Sequence, residues 1–224
     1  MTDTWGGYRA RLVEGLRGQG VQDLAVLRAF GETPRHLFVP EAMRNRAYDD
    51  SALPIGFGQT ISQPSSQAAF LEALRLKGPE RVLEVGTGSG YQAALLALLV
   101  EHVVTVERIP ELADRARGAI RGAGISNVMV VVGDGSLGWR PTAPYDAILV
   151  AAAGPGVPEP LLSQLRDGGT LVMPVQDAQG TQRLTCVTRS GDRHEVRELG
   201  DARFVPLVGR HGFEDGEGGQ GNSA

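Results

Sequence analysis

Three glycines, three acids and a hydroxyl-rich segment are, by type and spacing, the residues of this chain best suited to chemistry. The run "LEVGTGSGYQAALLA" puts Gly86, Gly88 and Gly90 where an apolar strand-like stretch gives way to a helix-like one. Glycine there lets the backbone turn sharply and lets a ligand approach closely. Glu84 stands two residues ahead of the first glycine, and Glu107 closes the next apolar run, 21 residues after Gly86. An acid at that distance can accept hydrogen bonds from both hydroxyls of a ribose. Asp134, in "GDG", ends the third run, where a carboxylate can receive the exocyclic amino group of an adenine. These positions predict an adenosine-bearing cofactor.

Spacing bears on which cofactor. A dinucleotide fingerprint runs G-x-G-x-x-G, and its third glycine would fall on Tyr91. The loop offers no Arg or Lys to a pyrophosphate, whereas the acid at Glu84 suits the ammonium of a methionine moiety. S-adenosylmethionine is preferred, with a nicotinamide dinucleotide as the alternative. The hydroxyl-rich segment "PIGFGQTISQP", residues 54–64, is less easily placed. Taken alone it is a loop feeding a helix, with Ser62 or Gln63 near the N-cap and Pro64 in the first turn.

The elements that must position these residues follow from periodicity. Residues 5–48 read as helical and irregular, with Val21, Leu24 and Leu27 on loose helical spacing and two prolines in "TPRHLFVPEAMRNRAYDD". "SSQAAFLEALRL" reads as a helix bearing Ala69, Leu71, Leu74 and Leu76 and stopping at Gly78-Pro79. From residue 80 short apolar runs appear at 81–85, 102–107, 128–132, 145–151 and 170–175, with helical segments at 91–100, 110–122 and 158–166. Near-continuous apolar strands alternating with helices predict an α/β fold with a doubly wound, mostly parallel sheet. "RLTCVTR" and "HEVREL", joined by "SGD", add antiparallel C-terminal strands.

Composition narrows the function classes. A net charge of −4, with Lys77 the only lysine and the arginines scattered, argues against a nucleic-acid footprint. Cys186 is the single cysteine, so no internal disulfide forms; it lies in an alternating run as a buried thiol. The apolar run 93–100 is too short to cross a bilayer, and the first ten residues carry no signal pattern. A cytoplasmic protein without membrane or nucleic-acid partners is expected.

The chain resembles the protein-L-isoaspartate O-methyltransferase family from about residue 8 to residue 213. The likeness is carried by "LPIGFGQTISQP" (53–64), "VLEVGTGSGYQAALLA" (82–97), "VERIPELADRAR" (106–117), "GDG" (133–135), "YDAILVAAA" (145–153), "LRDGGTLVMPV" (165–175) and "FVPLVGRHGF" (204–213), with "PRHLFVPEAMRNRAYDD" (34–50) upstream. The glycine loop is shared by many methyltransferases; "GQTIS" is specific to this family.

The Gly- and acid-rich composition of 214–224 predicts a disordered tail, and the resemblance implies a Rossmann-like core at 80–213 and an N-terminal helical and loop extension at 1–79. It implies a lid formed by Gln59, Thr60, Ile61 and Ser62 over bound S-adenosylmethionine, with Ser62 at the reacting end. Glu84, Gly86, Thr87, Gly88, Gly90, Glu107, Asp134 and Gly135 are the remaining expected cofactor contacts. The implied substrates are isoaspartyl, less readily D-aspartyl, residues of damaged proteins or peptides, whose methyl esters collapse to a succinimide and restore some aspartate. A dedicated precursor peptide carrying aspartate is the alternative substrate. A carboxylate is ionised at neutral pH and a sulfonium is a ready electrophile, so alignment and water exclusion are what remain to be supplied. His36, His102, His194 and His211 then need no catalytic role. The chain departs from the family at Ser65, where an aromatic or imidazole is common, and in the Gly/Pro-rich loop 154–160. "RFVPLVG" (203–209) is either a wall of the peptide site or a last core strand.

Overall fold

Two helices, α1 (Gly6–Gly18) and α2 (Leu24–Glu32), open the chain in a computed structural model that describes residues 4–215. The expected tail lies outside the described residues from 216 onward. Asp23 caps α2, its side chain accepting from the backbone N–H groups of Ala25 and Val26. The helix buries Val26, Leu27, Ala29 and Phe30, while Leu24, expected on the inner stripe, points to solvent. Two short 3-10 turns, 35–37 and 41–46, account for the Pro-interrupted stretch that follows.

The segment read as a loop is a hairpin. Strands β1 (Leu53–Gly56) and β2 (Gln59–Ile61) pair antiparallel across Phe57 and Gly58. Both turn residues have positive φ, 55° and 70°, as the tightest hairpin turns require. Helix α3 (Pro64–Leu74) follows, and it ends earlier than expected because Arg75 adopts a left-handed conformation. Its buried face is Gln67, Ala68, Phe70, Leu71 and Leu74; Ala69 is on the outside.

The remaining chain alternates as predicted: β3 (Arg81–Val85), α4 (Tyr91–Ala97), β4 (His102–Glu107), α5 (Pro110–Gly122), β5 (Val128–Val132), β6 (Tyr145–Val150), α6 (Glu159–Gln164), β7 (Leu165–Gln176), β8 (Gln182–Ser190) and β9 (Arg193–Asp201). Helices α4 and α6 are shorter than the patterns implied. Strand β7 begins at Leu165, five residues before the apolar run at 170, with an irregularity in its pairing to β6. The seven strands lie in the order β5-β4-β3-β6-β7-β8-β9, parallel from β5 to β7 and antiparallel beyond.

Burial explains the composition of the central strands. On β3, Val82 faces a large cluster with Phe30, Leu71 and Leu95, while Leu83 and Val85 face a second with Tyr145, Leu161 and Met173. With both faces covered, every strand position is best filled by an apolar side chain, each contributing about 1.5–3 kcal/mol when fully buried. Strand β5 lies at the sheet edge and leaves Met129 and Val132 exposed. Cys186 is buried on β8, as its alternating run implied.

Candidate active site

Chain direction across the sheet reverses at β3: β4 and β5 lie on one side, β6 and β7 on the other. Loops leaving the carboxyl ends of β3 and β6 therefore splay apart, and a doubly wound sheet binds ligands in that crevice. An open cleft with about 740 Å³ of empty space occupies it, and both Gly86 and Ala151 lie on its wall. Gly86 and Gly88 have φ of +92° and +52°, which turns the backbone N–H groups of the loop toward the strand ends. Gly90 is different. It starts α4, and a Cβ there would sit 3.1 Å from both Ala116 and Ile120, so this glycine lets α5 pack rather than lining the cleft.

Glu107, at the end of β4, is buried on the cleft wall. Its Oε2 accepts from Gly88 N–H at 2.8 Å and its Oε1 from Ile109 N–H at 3.0 Å. The carboxylate thus fixes the glycine loop to β4 and keeps a lone pair on each oxygen for a ligand. Thr87 lies on the wall and hydrogen-bonds the Thr105 hydroxyl at 2.6 Å, which donates to Glu84 Oε2 at 2.5 Å. Glu84 itself lies beneath the loop, off the cleft wall. Among the described residues its buried Oε1 has no partner, and burial pushes the carboxyl's pKa up to about 8, with the nearby Glu107 charge adding to the effect against the Thr105 hydrogen bond.

Asp134 and Gly135 part company in the same way. Gly135 lies on the wall, where a Cβ would come within 2.5 Å of Val85 Cγ1. Asp134 lies off the wall and is engaged by its neighbours. Its Oδ1 accepts from Ser136 N–H (2.9 Å) and Oγ (2.7 Å), and its Oδ2 from Arg210 N–H (2.8 Å). Partial burial alone would raise its pKa; these donors outweigh it and hold the carboxyl below the usual range. Asp134 thereby ties the C-terminal segment to the end of β5.

The opposite wall belongs to the N-terminal extension. Gln59, Thr60 and Ile61 of β2, followed by Ser62, line the cleft. Gln63 occupies the N-cap position of α3 without a side-chain capping bond, and Pro64 is the first helical residue. No capping role for the Ser62 side chain is seen; its carbonyl accepts from Arg35 Nη2 at 2.7 Å. The hairpin tip is pinned to the core by Arg115 of α5, whose guanidinium lies 5.3 Å from the Phe57 ring centroid.

Residues 205–208 close the cleft from a third side. Leu207 N–H donates to the Ala153 carbonyl (2.7 Å) and Ala153 N–H to the Val205 carbonyl (2.8 Å), extending the line of β6 by one parallel bridge. The segment is a cleft wall, not a further core strand. A second, broader cleft shares Thr60, Ser62, Ala151 and Val205 with the first and runs past Ser66, Arg203 and Phe204. Ser65 does not line either cleft; its N–H donates to Asp50.

Three polar residues of the site are not among the expected site residues: Arg35, Gln67 and Gln92. Gln67 and Gln92 are buried on the first cleft's wall, and Gln92 Nε2 has no partner among the described residues. The available signal was a polar residue on an otherwise apolar helix face. Among the described residues, no group of three His, Cys, Asp or Glu side chains could hold a metal ion, and no helix is long and apolar enough to cross a membrane.

Residues 8–212 match the family model described as Protein-L-isoaspartate(D-aspartate) O-methyltransferase. The chain is 53% identical over 212 residues to Protein-L-isoaspartate O-methyltransferase 1 of Rhodopseudomonas palustris, covering 94% of this chain and 86% of that protein. It is 49% identical over 207 residues to the Protein-L-isoaspartate O-methyltransferase of Dictyoglomus thermophilum, covering 92% and 94%. A solved structure of a protein-L-isoaspartate O-methyltransferase superposes with a TM-score of 0.83 at 31% identity, over 91% of this chain and 67% of that one. A putative enzyme of that kind from Plasmodium falciparum, solved with S-adenosyl-L-homocysteine, superposes at 0.78 with 26% identity, over 88% and 97%.

Proposed function

Because the chain belongs to the protein-L-isoaspartate O-methyltransferase family, and so is an S-adenosylmethionine-dependent enzyme of isoaspartyl repair, we propose that Ser62 orients the carboxylate that receives the methyl group. The observation that carries this is its place: Ser62 lies on the walls of both clefts, at their junction.

The residues of the first cleft fit the cofactor. Glu107 keeps lone pairs for the ribose hydroxyls, the Gly86–Gly88 turn admits a close approach, and the buried Gln92 amide nitrogen lacks an acceptor. Gln59, Thr60 and Ile61 cover it, with Gly135 beneath. Bound there, S-adenosylmethionine supplies a methyl group on a sulfonium. The second cleft, open past Arg203 and Phe204, receives the damaged peptide. Extended backbone near residues 203–205 offers hydrogen bonds to a peptide strand.

Ser62 donates its hydroxyl proton to one oxygen of the isoaspartyl carboxylate and leaves the other to attack. No base is required, because the carboxylate arrives ionised. The hairpin and residues 205–208 hold the partners in line and keep water out.

The test is Ser62→Ala, assayed on an isoaspartyl peptide at saturating cofactor. It should fold and bind S-adenosylhomocysteine as the wild type does, yet turn over about 10- to 1000-fold more slowly, because without the hydroxyl the attacking oxygen is no longer held in line with the methyl group. An unchanged initial rate would remove Ser62 from the mechanism.

A further inference from the structure

Ser62 and Gln67 stand at the positions just before the N-cap and in the second turn of α3, the pair that commonly closes a helix start with an apolar contact. Here both are polar, and a buried cation joins them. Arg35 is fully buried. Its Nη2 donates to the Ser62 carbonyl at 2.7 Å, its Nη1 to Gln67 Oε1 at 2.8 Å, and its Nε to the Ala47 carbonyl at 2.7 Å. Its guanidinium lies 4.6 Å from the Tyr91 ring centroid.

This fork settles which way the Gln67 carboxamide faces. Arginine can only donate, so the amide oxygen turns to Arg35 and the NH₂ turns away from it. Gln67 is 5% exposed and lies on the first cleft's wall beside Ser62. Its amide nitrogen makes no hydrogen bond to a described residue. On the same wall the Gln92 amide nitrogen is likewise without a partner. Gln92 Nε2 is fully buried, and an unmet buried donor costs about 1–3 kcal/mol, whereas the Gln67 NH₂ still reaches the space of the cleft; together the two amides call for an acceptor-rich ligand group there.

We propose that Gln67, aimed by Arg35, is a carboxylate-binding donor of this cleft, acting beside Ser62. It rests on the assignment of the cleft to methyl transfer. Two carboxylates are available: that of the isoaspartyl residue and that of the cofactor's amino-acid moiety. Either one takes the NH₂ as a charge-assisted hydrogen bond. Methyl transfer neutralises the substrate carboxylate, so a donor to that group binds the ground state at least as well as the transition state and acts on KM more than on kcat.

Gln67→Glu and Gln67→Met test this. Glutamate keeps an acceptor for Arg35 but loses the donors and brings a negative charge; methionine loses both functions at similar length. Measured quantities are KM and kcat for an isoaspartyl peptide, and Kd for S-adenosylhomocysteine and for 5′-methylthioadenosine, which lacks the carboxylate. The expected result is a rise of about tenfold or more for Gln67→Glu, with Gln67→Met milder, in one quantity that involves a carboxylate. A raised peptide KM with unchanged S-adenosylhomocysteine affinity identifies the substrate carboxylate; weakened S-adenosylhomocysteine with unchanged 5′-methylthioadenosine identifies the cofactor's. If Gln67→Glu behaves as wild type, or if 5′-methylthioadenosine weakens equally, Gln67 only supports Arg35 and the proposal fails. A normal Gln67→Glu alongside a slow Ser62→Ala would overturn this inference alone, leaving the role of Ser62 intact.

Discussion

Two walls of the cleft each rest on one fully buried ionisable side chain, and the two are treated in opposite ways. Under the hairpin wall, Arg35 has acceptors for Nε, Nη1 and Nη2 and an aromatic face beside it. Under the glycine-loop wall, Glu84 has one hydroxyl partner and an unpartnered second oxygen. Burial lowers the pKa of Arg35 and raises that of Glu84, penalising the charged form in both. Arginine stays charged regardless, so its surroundings must satisfy it. Glutamate can take up a proton, and with its pKa near 8 it is largely neutral at pH 7. The hairpin wall is therefore set by a permanent cation, and the glycine-loop wall rests on a carboxyl that needs no charge.

The sharpest way to break this contrast is Arg35→Met. It leaves the Ala47 and Ser62 carbonyls and the Gln67 amide oxygen without their donors, at about 1–3 kcal/mol each, so unfolding in urea should show a loss of roughly 3–9 kcal/mol. Arg35→Lys should recover part of that stability but little of the activity, because an ammonium cannot reproduce the fork. If the lysine variant were fully active, the geometry of the fork would be irrelevant.

Glu84→Gln probes the other wall. A folded-state pKa of about 8 against an ordinary value of 4.5 means the folded protein retains a proton that the unfolded chain gives up. Stability from this group is complete below pH 4.5, erodes as the pH rises toward 8, and levels off above that. The ligand-free wild type should thus lose on the order of 2–4 kcal/mol between pH 5 and pH 9, and Glu84→Gln should lack that component. Superimposable pH profiles for the two proteins would show that Glu84 stays ionised.

Glu107→Ala is the mildest of the three. It removes the acceptor of the Gly88 and Ile109 N–H groups and one potential ribose partner, and calorimetry should show S-adenosylmethionine binding weakened by about 1.5–3 kcal/mol. Unaltered affinity would mean that the glycine loop holds its shape without that carboxylate.

The two walls also differ in how far they were legible. Glycines 86 and 88, Glu107 and the strands around them were readable because strand, turn and helix follow one another in sequence, and a binding edge follows from that rhythm. The hairpin was not. Its strands have four and three residues, too few for a period, and its turn puts Phe57 at positive φ because a tertiary contact with Arg115 holds it there. Arg35 and Gln67 were invisible for a related reason: arginine and glutamine are usually solvated, and only partners 12 to 32 residues away give these two their places. Glu84 and Asp134 were found by position, but their environments, one beneath the loop and one tied to Arg210, are properties of the folded chain alone.

The wall formed by residues 205–208 has a consequence for how the enzyme comes into being. The chain is synthesised from its N-terminus, and every strand of the parallel sheet, with its helices, is made before residue 177. The nascent chain thus holds all the residues of the parallel sheet and the glycine loop while one side of its cleft is still unmade. Only when Leu207 reaches Ala153 and Arg210 reaches Asp134 is the cleft closed. Competence to exclude water from a methyl transfer arrives with the last stretch of the domain, so a chain broken off at the end of β9 would carry the fold without a finished place for its chemistry.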